Sequence, residues 1–201
     1  MSTPNIPVHL VTGATGAGKT SAIRRLLAKR PHAEAWIVIV NDFGEDTFAS
    51  ELDNRVTVRE VAGCVCCSGQ IALRITLVKL IRENRPQRVL IEASSAAEPA
   101  TLSAMIQEAD LSRAVELASN ICVVNAEQII DARYREHELY RRQIAAADAI
   151  YAPDLNGSAS GVRALQELQS LARPGTPVFT QADSLDMHEL RALHKARRAV
   201  R

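Results

Sequence analysis

One octapeptide constrains this chain more than any other feature. Gly13-Ala-Thr-Gly16-Ala17-Gly18-Lys19-Thr20 fits the phosphate-loop pattern GxxxxGK[ST]. That pattern carries meaning only between a strand and a helix, and both are legible here. Residues 8–12 are a short apolar run. Residues 21–29 place apolar side chains at helical spacing and stop before Pro31. Glycines let the backbone fold tightly, so that successive N–H groups point inward at phosphate oxygens. The following helix N-terminus adds favourable partial charge. Gly13, Gly16, Ala17, Gly18, Lys19, Thr20 and Ser21 are therefore the candidate phosphate contacts. Lys19 is expected to reach the β- and γ-phosphates, the Thr20 hydroxyl to sit on Mg²⁺, and Ser21 to lie near the α-phosphate.

The rest of the chain alternates in the same way. Further strands are predicted at 36–40, 56–61, 88–91, 119–124, 149–151 and 177–180. Helices are predicted at 70–83, where Ile71, Ile75, Val78 and Ile81 recur at steps of three and four, and at 133–147, 162–172 and 185–199. Alternating strands and helices predict an α/β domain, a three-layer P-loop NTPase fold with a mostly parallel sheet and helices on both faces. Aromatics make up only 3% of the chain, so its core must be built from Ala, Leu, Ile and Val. The formal charge of +1 gives no support to nucleic-acid binding through bulk electrostatics. No run of 18 apolar residues offers a membrane span, and residues 1–7 lack the marks of a signal peptide. The expectation is a single cytoplasmic domain over residues 1–201. Residues 188–201 hold five basic side chains against Glu189, either a solvated helix end favoured by the helix dipole or a docking surface.

Two acids sit where predicted strands end. Asp42 follows the run 37–40, and Glu92 follows 89–91. Ligands of open α/β sheets gather at the carboxyl ends of strands, so both are candidates for the magnesium shell. The alternative for each is a surface acid capping the next helix. Gly63-Cys64-Val65-Cys66-Cys67 packs three of the four cysteines into four positions. Thiolates so placed, with Glu45 or a histidine from elsewhere, suit a soft-metal site for Zn²⁺ or a similar ion. A redox pair and a structural role are the rival readings. Cys122, inside an apolar strand, reads as a buried small hydrophobe.

Taken in order, the phosphate loop, Asn41-Asp-Phe-Gly-Glu45, Gly63-Cys-Val-Cys-Cys67 and Ile91-Glu-Ala-Ser-Ser95 resemble the CobW-like P-loop GTPases, a family of nucleotide-driven metallochaperones. The resemblance runs from about residue 8 to 99, and more weakly through 123–126 and 142–148. It implies GTP as the nucleotide, with ATP open, and Mg²⁺ as cofactor. Lys19, Asp42 and Glu92 are the implied catalytic set, and turnover is expected to be low. It implies Cys64, Cys66 and Cys67 as ligands for Zn²⁺ or another transition metal, a nucleotide-responsive switch at 41–45, and a client metalloprotein. Pairing across nucleotide sites, as relatives of this kind do, would make a homodimer.

Three departures from the family pattern stand out. Ser95 replaces the glycine of the family's ExxG segment. The guanine-reading Asn-Lys-x-Asp is replaced by Tyr151-Ala-Pro-Asp154, where Asp154 is the candidate base contact; a register without a gap puts Asn156 there instead. The chain ends at Arg201, too early for the second domain that many family members carry. Three functional classes follow: a metallochaperone GTPase, a degenerate nucleotide-binding module without turnover, and an ATP-using enzyme on the same scaffold.

Overall fold

The computed structural model describes residues 5–41, 48, 53–61, 68–153, 155 and 159–199. Seven strands form one sheet: β1 (Ile6–Thr12), β2 (Trp36–Val40), β3 (Val56–Glu60), β4 (Arg88–Glu92), β5 (Val115–Val123), β6 (Ala149–Tyr151) and β7 (Val178–Phe179), in the order β3-β2-β4-β1-β5-β6-β7. Every neighbouring pair is parallel. The central strands are buried along their length, which is why they read as apolar runs in the sequence.

Helices cover both faces. Val11, Val38, Leu90 and Ile121 pack under α1 (Lys19–Ala28) and α8 (Met187–Ala199). Leu10, Ile39 and Ile91 face the other way, against α2 (Ser68–Asn84) and α3 (Pro99–Gln107). That layer continues through α4 (Ala126–Ile130), α5 (Ala132–Arg135), α6 (Glu138–Ala145) and α7 (Ala159–Leu171), whose Ile129, Tyr140, Ile144 and Leu168 enclose Cys122 and Ile150.

Two sequence expectations change, and a third is narrowed. Helix α2 buries Leu73, Leu77 and Leu80, whereas Ile71 and Ile75 of the predicted apolar stripe are each 63% exposed. Both stripes recur at helical spacing; the leucines, offset by two residues, win the core. The helix predicted over 133–147 is broken into α5 and α6 at Glu136 and His137. The basic side chains of α8 close on acids of the same domain: Arg191 on Glu34, Arg197 on Asp148, and His194 and Arg198 on Glu116. These pairs tie the helix to β5 and its surroundings, while Arg191 and Arg198 stay largely exposed, in keeping with a solvated helix end.

Beneath α8, strand β1 carries a fully buried histidine. His9 Nδ1 lies 2.7 Å from Ser119 Oγ, and Arg88, stacked over the Trp36 ring, meets Nε2. A guanidinium can only donate, so Nε2 is the acceptor and Nδ1 carries the proton toward Ser119. Burial first, then Arg88 and His194, hold His9 well below the usual histidine range. The unfolded chain therefore takes up a proton below pH ~6.5 that the folded chain refuses, and stability falls as the pH drops through that range. From pH 6.5 to 5.5 the loss from His9 is on the order of 1 kcal/mol. Urea unfolding of wild type and His9→Gln at pH 7.5 and 5.5 should show a pH slope smaller by an average of about half a proton in the variant. Equal slopes would mean that His9 titrates alike in both states.

Candidate nucleotide site

The turn between β1 and α1 is built on backbone that only glycine tolerates at its two ends. Gly13 has φ 136°, and a Cβ there would lie 2.3 Å from the carbonyl oxygen of Val123 at the end of β5. Gly18, with φ 95°, is the N-cap of α1 and leaves its first-turn N–H groups facing the loop. Between them Ala17 N donates to Ala14 O at 3.2 Å. Lys19 is almost fully buried, and its Nζ donates to Gly13 O and Ala14 O, each at 3.1 Å. The ammonium is thus folded over the loop that the sequence assigns to phosphate. Gly16 stands at φ 73° in the same turn, and Ser21 is exposed one position beyond Thr20 in the first turn of α1.

Glu92 is the last residue of β4, set between Val11 and Val40 by the strand register. Its Oε1 accepts from the Thr20 hydroxyl at 2.7 Å. The helix-capping alternative fails for Glu92, because the next helix, α3, begins at Pro99 with Glu98 as its N-cap. A hydroxyl and a carboxylate held together at the mouth of the phosphate loop are hard oxygen donors of the kind Mg²⁺ takes, so the residues present fit that ion. Asn41 fixes the start of the 41–45 segment. It is buried, its Nδ2 donates to Val61 O at 2.9 Å, and its N–H donates to Glu92 O at 2.9 Å.

Ser95 is tied to the phosphate loop. Thr15 Oγ1 donates to Ser95 Oγ at 2.8 Å, a contact the glycine of the family pattern could not make. Two glutamines brace this contact: Gln128 Nε2 donates to Thr15 O at 2.7 Å, and Gln143 Nε2 donates to Ser95 O and Ala97 O at 3.0 and 3.2 Å. Sequence reasoning misses both glutamines. The usable signal is a Gln among the apolar residues of a helix, at 143 beside Tyr140 and Ile144.

Tyr151, at the first position of the expected base-reading segment, is 1% exposed. Its hydroxyl accepts from Arg25 at 2.9 Å and donates to Ala182 O at 2.7 Å. It joins α1 to the residues after β7, which occupies both roles of its hydroxyl. Asp42, Glu45, Cys64, Cys66, Cys67, Asp154 and Asn156 lie outside the described residues. Among the described residues no three His, Cys, Asp or Glu side chains gather to hold a metal ion. None of the described helices is long and apolar enough to cross a membrane.

Residues 7–179 match the family described as CobW/HypB/UreG, nucleotide-binding domain. The zinc chaperone YeiR of Escherichia coli is 32% identical over 147 residues, covering 72% of this chain and 45% of YeiR. The zinc chaperone CobW of a Sinorhizobium species is 28% identical over 212 residues, covering 88% and 59%. The Zn(II)-bound YjiA GTPase from E. coli superposes with a TM-score of 0.63 at 22% identity, over 89% of this chain and 58% of that one. HypB from Archaeoglobus fulgidus gives 0.55 at 14% identity, over 98% and 90%. Likeness at such identities speaks to the fold alone. The chain spans about half the length of the curated relatives it matches.

Proposed function

This chain belongs to the CobW/HypB/UreG nucleotide-binding domain family, and from that membership we propose that it is a Mg²⁺-dependent GTPase whose turnover governs binding and hand-over of Zn²⁺ or a similar transition metal. The observation that carries the nucleotide half is the Thr20–Glu92 bond at the mouth of the glycine-built loop, with Lys19 folded above it. In the reaction the oxygen of a water forms a bond to the γ-phosphorus as the bond to the β–γ bridging oxygen breaks, giving GDP, phosphate and a proton. In this reading Lys19 would bind the β- and γ-phosphates, and Thr20 and Glu92 would hold Mg²⁺, which would neutralise charge developing on the phosphate oxygens. The metal half rests on Cys64, Cys66 and Cys67, with Glu45 as an added ligand. It is supported by relatives named zinc chaperones. Asn41, the first residue of the 41–45 switch, donates its N–H to Glu92 O, which supports coupling of that switch to the nucleotide site. The recipient is a client metalloprotein, and a homodimer is the proposed assembly.

Coupling of this kind requires that the two nucleotide states differ in metal affinity. Titrating Zn²⁺ into the chain loaded with a non-hydrolysable GTP analogue and with GDP should give dissociation constants that differ about 10-fold, a coupling within the usual ~1–3 kcal/mol. Equal affinities in both states would end the transfer mechanism. Repeating the titration with the ATP analogue tests the base. The engagement of Tyr151 by Arg25 and Ala182 favours a weak preference for guanine over adenine.

A further inference from the structure

We infer that Gln143 is a positioning residue for nucleotide hydrolysis, setting the segment between Glu92 and α3 against the phosphate loop; the functional part of this inference rests on the proposed GTPase reading. Gln143 is 1% exposed on the inward side of α6, and Nε2 spends its donors on the carbonyls of Ser95 and Ala97. Those carbonyls belong to the link that leaves the sheet at Glu92, whose carboxylate holds Thr20. The hydroxyl of Ser95 in turn receives Thr15 Oγ1, and Gln128 holds Thr15 O from α4. One glutamine thus grips each side of the Thr15–Ser95 contact.

The need for a grip is visible beside it. A cleft of about 510 Å³ opens along this contact, lined by Thr15, Ser95, Ala96, Tyr140 and Gln143 among others. A backbone link with such a space next to it has room to relax unless its carbonyls are tied. Buried carbonyls left without a donor also favour rearrangement toward water. A misplacement of ~1 Å at the reacting groups can cost ~100-fold in rate, so holding this link is a rate matter even though Gln143 touches no reacting atom.

The test uses the full chain with GTP and Mg²⁺. Gln143→Met keeps shape and removes both donors. It should lower kcat about 10- to 100-fold and leave KM within about 3-fold. Gln143→Glu has the same outline and, as a carboxylate, no donor. Protonation restores one, so its activity relative to wild type should climb as the pH falls, a trend that a packing role alone does not produce. Amide hydrogen exchange supplies a readout without turnover: residues 93–98 should exchange about 10-fold faster in Gln143→Met, with β1 and β5 unchanged. Wild-type kcat together with wild-type exchange in Gln143→Met overturns the inference. Loss of kcat matched by an equal rise in KM does so too, because binding rather than positioning is then lost. If β1 and β5 also exchange faster, the fold has been damaged and Gln143→Glu carries the comparison. If wild type shows no Lys19-dependent phosphate release, the GTPase reading fails separately, and Gln143 stands or falls on the exchange rates.

Discussion

Replacing Lys19 with alanine is expected to cut phosphate release by about 100- to 1,000-fold, the loss typical when one preorganised donor is removed from a developing anionic charge. The substitution acts twice. It removes the cation that would face the β- and γ-phosphates, and it removes the ties from Nζ to Gly13 O and Ala14 O that order the loop ahead of any ligand. Hydrogen bonds to charged groups are worth about 1.5–3 kcal/mol each, so nucleotide affinity should fall as well, by at least about 10-fold. The loop glycines do not depend on the lysine: Gly13 is held by the approach of Val123 and Gly18 by the start of α1. The melting temperature without nucleotide should fall by the loss of those two bonds alone, with the transition still cooperative, and measuring it beside the rates separates loss of chemistry from loss of fold. Phosphate release from Lys19→Ala at the wild-type rate would trace the activity to a contaminant or to a different site. Release abolished in the variant and present in wild type would exclude the module without turnover.

The phosphate loop is legible in the sequence because its chemistry needs fixed residue types at fixed spacing, and the strand and helix flanking it obey simple periodicities. The buried central strands are legible too, since a parallel strand covered on both faces has little choice but an apolar run. Strand β5 shows the limit of that rule. It begins at Val115, but Glu116 interrupts the apolar pattern, so the sequence reading starts the strand only at 119, on the polar pair Ser119 and Asn120. Ser119 and Asn120 are buried and Glu116 half-buried, and each has a fixed partner: Ser119 has His9, Asn120 has Thr12 and Ala146 O, and Glu116 has His194. No local rule contains those partners, which come from β1, α8 and the turn before β6.

Helices are harder for the same reason. Residues 99–107 announce α3 only through Pro99 at its first position and the spacing of Leu102, Met105 and Ile106. The facing of α2 is decided by which of two apolar stripes meets β4, a tertiary choice. At the site, Glu92 can be found because strand ends collect ligands, while Gln128 and Gln143 cannot, because amides that hold carbonyls carry no motif. Ser95 stands out in the sequence as a departure from a glycine. Its bond to Thr15 gives that departure a physical content: a side-chain contact now links two segments that a glycine would leave joined through backbone alone.

Cys66→Ser should weaken Zn²⁺ binding by about 100-fold, whereas Cys122→Ser should leave it unchanged. Structural zinc sites contribute about 10–16 kcal/mol over four ligands, so one thiolate replaced by a poor hydroxyl ligand costs on the order of 3 kcal/mol. The contrast between the two cysteines rests on thiolate chemistry, because only the thiolate binds soft metals. Cys122 is wholly buried in the layer formed by Ile129, Tyr140, Ile144 and Ile150, and burial pushes its thiol up to about 12. Its neighbours are apolar, and among the described residues no other metal-ligating side chains gather there. What Cys122→Ser should cost is stability, about 1–3 kcal/mol for a hydroxyl placed in an apolar layer. Zinc titrations of the two variants, read beside urea unfolding of each, distinguish the effects. Comparable losses of zinc affinity from both substitutions would show that the metal is not held by the cluster at 64–67. Unchanged affinity in Cys66→Ser with intact Cys64 and Cys67 would leave only a two-thiol site completed from elsewhere. The double variant Cys64→Ser/Cys67→Ser would then have to lose binding altogether for the cluster to remain the metal's seat.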